Sequence, residues 1–439
     1  MRKTGRKAAL CALLCALTML LSGCMPALSD ETLYRLPKLP AEYESLETLI
    51  DALIRNGAEY AAPTSGSNLQ SVQMVDLDGD GEEEAVAFFR RANDERPMKI
   101  YIFRAAGDSY EQYCVIEGTS NSIYSVNYVD LDGDGRREIL AGIRSNLDVQ
   151  NLSVWSVGAG EAQQLLLTGY SRYTTRDMDG DGIQELLVLR SDEENYAVAD
   201  CYAWDGAELA ARSSLRLSGT VAELSRLTGG TLSSGETALF ITSVTQDGAA
   251  ITDILIVSDG ALRSVRDSAG PGRAFRFLEL YPGDVNGDGV TEVPEPAPFP
   301  QIDPESSAYY RICWQQYDAA GRATLVRETY QDAQGGWSLI LPDGWNDCVT
   351  VSRSSNADGS SVTFSCTNGA ETRPFLTIYA FTAENRGQLA SRTGRITLAR
   401  QAEASYAAEI YDGGAGLIDE QTLREGFSLI AAEWTTGEN

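Results

Sequence analysis

Four segments of the chain, 76–84 (DLDGDGEEE), 130–138 (DLDGDGRRE), 177–185 (DMDGDGIQE) and 284–292 (DVNGDGVTE), carry one nine-residue pattern. They begin 54, 47 and 107 residues apart, so the last gap spans two periods. A worn copy, 228–236 (TGGTLSSGE), fills that gap, keeping the final Glu and losing every Asp. A period near 50 residues marks a repeat array. One such unit cannot cover its own apolar faces, so neighbouring units must stack.

The flanks repeat with the loops. An alternating stretch precedes each intact early loop (SVQMVD, SVNYVD, SRYTTRD), and an apolar run follows (EAVAFF, EILAGI, ELLVLR, and ETALFIT in the worn copy). A third run carries an aromatic, Phe103, Trp155, Trp204 or, slightly later in its unit, Trp314. In the worn copy ILIV takes that place, and a fourth run follows, as in YEQYCVIEG. Four short strands in about 50 residues is the composition of a propeller blade. The expected fold is mainly β: a propeller-like array of about five four-stranded repeats over 67–335, with the aromatics in the cores between units.

Within each loop the carboxylates at positions 1, 3, 5 and 9 can converge, and the carbonyl of position 7 adds an oxygen. Gly at position 6 permits the sharp turn. Hard oxygen donors on a flexible loop suit Ca²⁺. The expected ligand sets are Asp76, Asp78, Asp80, the Glu82 carbonyl and Glu84; Asp130, Asp132, Asp134, the Arg136 carbonyl and Glu138; Asp177, Asp179, Asp181, the Ile183 carbonyl and Glu185; and Asp284, Asn286, Asp288, the Val290 carbonyl and Glu292. An EF-hand would need Glu at position 12, which holds Ala87, Ala141, Val188 and Glu295, and would need flanking helices. Up to four structural Ca²⁺ ions are expected.

These loops and their strands resemble the FG-GAP/VCBS repeats, best known from integrin α-chain propellers. The resemblance is specific in the four loops. The chain differs in carrying Glu at position 9 and in lacking a clear FG-GAP tetrad. The resemblance implies structural Ca²⁺ at one face of a propeller. It implies no single activity, since such repeats occur in adhesins, carbohydrate-binding proteins and lyase scaffolds.

Residues 1–23 begin with Arg2, Lys3, Arg6 and Lys7, continue in an apolar run of about 14 residues, and end before Cys24 in LSGC. The run is shorter than the roughly 20 residues a spanning helix needs and fits a signal-peptide core. LSGC resembles the bacterial lipobox, which implies lipidation at Cys24 and a protein anchored on the extracytoplasmic face of the cell membrane. Residues 24–66 would supply a tether and an amphipathic helix, with Leu46, Leu49, Ile50, Leu53 and Ile54 on one stripe, ending near Asn56-Gly57.

Residues 294–304 hold five prolines and read as a rigid loop or an edge strand inside the fifth unit. Residues 336–439 read as a smaller α+β domain. Its expected strands are followed by helices at EASYAAEIY and IDEQTLREGFSLIAAEW. Trp345 is expected in its core. Cys348 and Cys366 flank a turn sequence and could either face each other across a hairpin or be two buried thiols. No CxxC pair is present, which excludes a thioredoxin motif and a zinc knuckle.

Composition narrows the function. The chain has no His, which removes the Ser-His-Asp triad, the Cys-His pair and the HExxH zinc helix. A net charge of −28 argues against a nucleic-acid partner. Nearly all clustered carboxylates belong to the loops, and no separate catalytic pair stands out. The expected function is a calcium-stabilised binding or scaffold lipoprotein whose ligand is a carbohydrate or protein of the cell envelope. The alternative is an extracellular polysaccharide hydrolase or lyase on a propeller scaffold.

Overall fold

The computed structural model describes residues 41–430 apart from 121, 145–149, 247, 266–272, 276–279, 302–307, 346–347, 369–370 and 413–415. The signal segment, Cys24 and Trp434 lie outside the described residues. The fold is mainly β, built of six antiparallel sheets that follow one another along the chain.

The first four sheets are meanders whose strands lie side by side in chain order. The first contains Val72–Val75, Glu84–Arg90, Met98–Ala106 and Ser109–Gly118, with Glu59–Tyr60 added beside Glu84–Arg90. The second contains Ile123–Val129, Glu138–Arg144, Gln150–Gly158 and Glu161–Gly169. The third runs from Arg172–Arg176 to Leu209–Thr220, and the fourth from Leu224–Thr231 to Ala261–Ser264.

Alternation along the inner strands explains how the sheets stack. Side chains of one strand point to opposite faces by turns, so a run apolar at every position must be covered on both sides. In Glu84–Arg90, Val86 and Phe88 enter a core shared with Ile139 and Ala141 of the second sheet. Ala85, Ala87 and Phe89 enter a different core on the opposite face. The same division links second to third sheet, third to fourth, fourth to fifth and fifth to sixth.

The outward face of the first sheet is covered by the expected helix, Ala41–Arg55. Leu46 and Ile50 are buried against Ala85, Phe89 and Phe103. Each such side chain contributes about 1.5–3 kcal/mol by leaving water. The helix stops at Gly57, whose φ of +84° ends the right-handed run. At the far end a short helix, Arg386–Ala390, places Leu389 and Ala390 over Phe381 and Ala407 of the sixth sheet. Among the described residues no core joins the first sheet to the sixth; a helix covers the outer face of each.

The fifth sheet contains the proline-rich segment as strand Glu292–Pro298, paired with Tyr310–Tyr317. Phe299 donates its N–H to Tyr309, so odd-numbered residues face the partner strand and Pro294, Pro296 and Pro298 face away. Their missing N–H groups therefore cost this pairing nothing, and the ladder on the other edge ends at the Gly283–Glu292 bridge.

The C-terminal reading needs four corrections. Trp337–Ile340, assigned from sequence to the separate domain beginning at 336, is the fourth strand of the fifth sheet. One core unites Phe299, Tyr330 and Trp337 with Phe364, Leu376 and Ile378 of the sixth sheet, so no break falls at 336. The expected helix at 403–411 is strand Ser405–Ile410, held between Glu371–Phe381 and Ile396–Arg400. Its first four residues are buried, and pairing on both sides outweighs the helix preference of Ala and Glu. The expected C-terminal helix shrinks to Glu420–Gly426, capped by Asp419 accepting from the Thr422 N–H at 2.8 Å; Phe427–Leu429 then pairs with Trp337–Ile340.

Trp345 is fully buried and donates to the Leu417 carbonyl at 3.0 Å, a core residue as expected. The Cys348–Cys366 pairing is not formed: both are thiols. The register sets Val349 opposite Cys366, and Thr367 donates to the Cys348 carbonyl. Both side chains pack against the core that the fifth and sixth sheets share.

Candidate metal centres

Each intact loop is tied by its own side chains. The position-1 carboxylate accepts two backbone N–H groups: Asp76 takes those of Gly79 at 2.8 Å and Gly81 at 3.2 Å. Asp130, Asp177 and Asp284 do the same in their loops. The position-5 carboxylate accepts the N–H of position 7, as Asp80 does from Glu82 at 2.8 Å. The glycines at positions 4 and 6 both have positive φ: +74° and +90° at Gly79 and Gly81, +83° at both Gly287 and Gly289. Only position 6 was singled out from sequence; the Gly at position 4 was the available signal for the second left-handed residue.

The position-9 Glu opens the next strand and is buried in every case: Glu84, Glu138, Glu185 and Glu292. One oxygen accepts the N–H of position 2, at 2.8 Å from Leu77, 2.9 Å from Leu131, 2.7 Å from Met178 and 2.8 Å from Val285. The apolar side chains of Leu77, Leu131 and Met178 are buried beneath the loops and anchor them to the sheets.

In the first three loops positions 1, 3 and 9 converge: Asp76, Asp78, Glu84; Asp130, Asp132, Glu138; Asp177, Asp179, Glu185. In the fourth the group is Asp284, Asp288 and Glu292. Within each group one oxygen per residue lies within 4.8 Å of the others. Asp80, Asp134 and Asp181, expected as equal ligands, are outside these triads and bind the backbone of position 7.

Burial, reinforced by the neighbouring aspartates, pushes the Glu138 and Glu185 carboxyls up to about 7 and raises Glu84. Asp284 and Asp288 are held below the usual carboxylate range, chiefly by backbone N–H groups. Converging carboxylates repel one another and favour a cation or a proton between them. Carboxylate oxygens are hard donors, and such a set fits a divalent ion bound through oxygen.

The loops lie in a row. A Cβ on Gly79 would come within 2.5 Å of the Gly135 carbonyl oxygen, and one on Gly133 within 3.0 Å of the Ile183 side chain. Thr291 in the fourth intact loop donates to the Thr231 carbonyl of the worn copy at 3.0 Å. That copy is not a nine-residue loop stripped of ligands. Thr228–Thr231 lie in strand Leu224–Thr231, and the turn from Thr231 to its partner Thr237 is shorter than the one from Val75 to Glu84. Glu236 accepts from the Ser234 hydroxyl.

No family model matches the chain, and no curated protein matches it. Among solved structures it is similar to a Bacillus licheniformis rhamnogalacturonan lyase, at a TM-score of 0.20 and 13% identity over 80% of this chain and 72% of that one. Likeness at that level carries no argument about fold or activity.

Proposed function

We propose that the protein is a membrane-anchored, calcium-stabilised extracytoplasmic lipoprotein that binds or scaffolds a carbohydrate or protein of the cell envelope. The sheets would form an FG-GAP/VCBS-type, propeller-like array. The observation that carries this reading is the recurrence of one acidic triad, with a buried Glu, at the same turn of the first three sheets. Metal bound there joins two strands of a sheet and, through touching loops, one sheet to the next. In the first three loops the carbonyls of Glu82, Arg136 and Ile183 would complete the coordination.

An open, polar surface depression beside the turn 333–336 is where such a ligand would sit. Gln334, Asn356, Thr382 and Gln401 line it together with Arg353 and Arg386, donors and acceptors suited to a hydroxylated ligand. No described helix is long and apolar enough to cross a membrane, and anchoring is assigned to lipid on Cys24. The test of the metal reading is thermal unfolding with EDTA and with millimolar Ca²⁺. A cation that binds only the folded state must raise the midpoint; identical midpoints would remove the loops as metal sites. The anchor is tested by detergent partitioning of the full chain against Cys24→Ala.

A further inference from the structure

The fourth intact loop makes side-chain contacts that the other three lack. Gln316 stands directly opposite Glu292 in the ladder between Glu292–Pro298 and Tyr310–Tyr317. Its Nε2 donates to Asp288 Oδ2 at 2.7 Å and to Glu292 Oε1 at 2.8 Å. Both acceptors are carboxylates and offer no hydrogen, so the amide must present its NH₂ group to them. Asn286 Nδ2 also donates to Asp288 Oδ2, at 2.9 Å. With Val285 N–H on Glu292 Oε2 and Val290 N–H on Asp288 Oδ1, all four oxygens of Asp288 and Glu292 have donors.

The other loops have no equivalent. One residue beyond the pairs Ala85–Phe103, Ile139–Trp155 and Leu186–Tyr202, the positions facing Glu84, Glu138 and Glu185 are Arg104, Ser156 and Ala203. Arg104 is engaged by Glu111 at 2.6 Å, Ser156 lends Glu138 one hydroxyl, and Ala203 has no polar group. In the first loop, the described hydrogen bonds give no donor to Asp78 Oδ2, Asp80 Oδ2 or Glu84 Oε1.

We infer that the loop at 284–292 closes without a cation, the Gln316 amide bridging two carboxylates of its own triad, Asp288 and Glu292, in place of a metal. This rests on the reading of those three as metal centres. A metal at 284–292 would have to displace the Gln316 NH₂ group or turn the amide to present its oxygen. The loop would then hold the fourth and fifth sheets in register, through Thr291 and Thr231, whatever the calcium concentration.

The test uses the full chain in detergent. Amide hydrogen exchange in EDTA should find Gly287 and Gly289 protected while Gly79, Gly81, Gly180 and Gly182 exchange fast. Gln316→Ala should speed exchange at Gly287 and Gly289 at least about tenfold, the size expected for losing charged hydrogen bonds. Tb³⁺ titration should give three tight sites in the native protein and four in Gln316→Ala. Exchange at 284–292 as fast as in the other loops in EDTA, or unchanged by Gln316→Ala, would overturn the inference. So would four equivalent tight sites in the native protein. Should Tb³⁺ bind nowhere, the metal reading of the first three loops fails, and the exchange measurement alone decides whether Gln316 closes the fourth.

Discussion

The backbone N–H of Arg137, in the second acidic loop, donates to the carbonyl of Leu77, in the first, at 2.8 Å. The N–H of that same Leu77 is held by Glu84. The two loops therefore share Leu77: whatever orders the second restrains the residue on which the first hangs its buried Glu.

Removing a ligand from the second loop should therefore be felt in the first. Asp130→Ala should reduce the calcium-induced rise in melting temperature only in part, because other loops remain. It should also loosen the first loop, read as faster hydrogen exchange at Gly79 and Gly81 in calcium. Unchanged exchange there would show that the loops act independently.

The buried glutamates set a pH dependence with a definite sign. In the metal-free protein Glu138 and Glu185 titrate at about 7, against an ordinary 4.5. As pH rises through this window the unfolded chain gives up these protons first, so metal-free stability falls. Calcium competes with the same protons, and its stabilising effect should grow over the same range. Melting curves in EDTA and in calcium from pH 5 to pH 8 check both directions.

Gly79 and Gly81 separate two costs. Both have positive φ, and an alanine in that conformation costs about 1–2 kcal/mol. Gly81 opens on empty space, whereas a Cβ at Gly79 meets the Gly135 carbonyl at 2.5 Å. Gly79→Ala should lower the melting temperature clearly more than Gly81→Ala; equal losses would deny the loop-to-loop contact.

The helix at the start of the array should behave as part of its core. Leu46→Ala should cost about 2–5 kcal/mol in denaturant unfolding, as for other buried leucines. Ile54→Ala, on the exposed side at 41% exposure, should change stability by no more than about 0.5 kcal/mol.

The loops were legible in the sequence because their bonds are local. Asp76 reaches Gly79 and Gly81, and Glu84 reaches Leu77, all within nine residues, so spacing alone announces them. The helix at Ala41–Arg55 was legible for the same reason, its stripe and Gly57 being consecutive signals. Gln316 was not, because it meets Asp288 from 28 residues away, across a ladder whose register the sequence does not display. Nor was the strand Ser405–Ile410, where Ala, Glu and Tyr carry no β signal strong enough to compete with helix.

The sequence by itself determined the repeat, its mainly β character, the acidic loops and the apolar runs that demand burial on both faces. Tertiary structure alone decided which faces meet, and it set a helix over the outward face of the first and sixth sheets. It also carried the fifth sheet into the C-terminal region through Trp337–Ile340 and Phe427–Leu429. The physical reason is range. Turn geometry and alternation are properties of neighbouring residues, whereas pairing and stacking depend on partners brought together from 90 residues apart, as the Ser338 and Ser428 hydroxyls are.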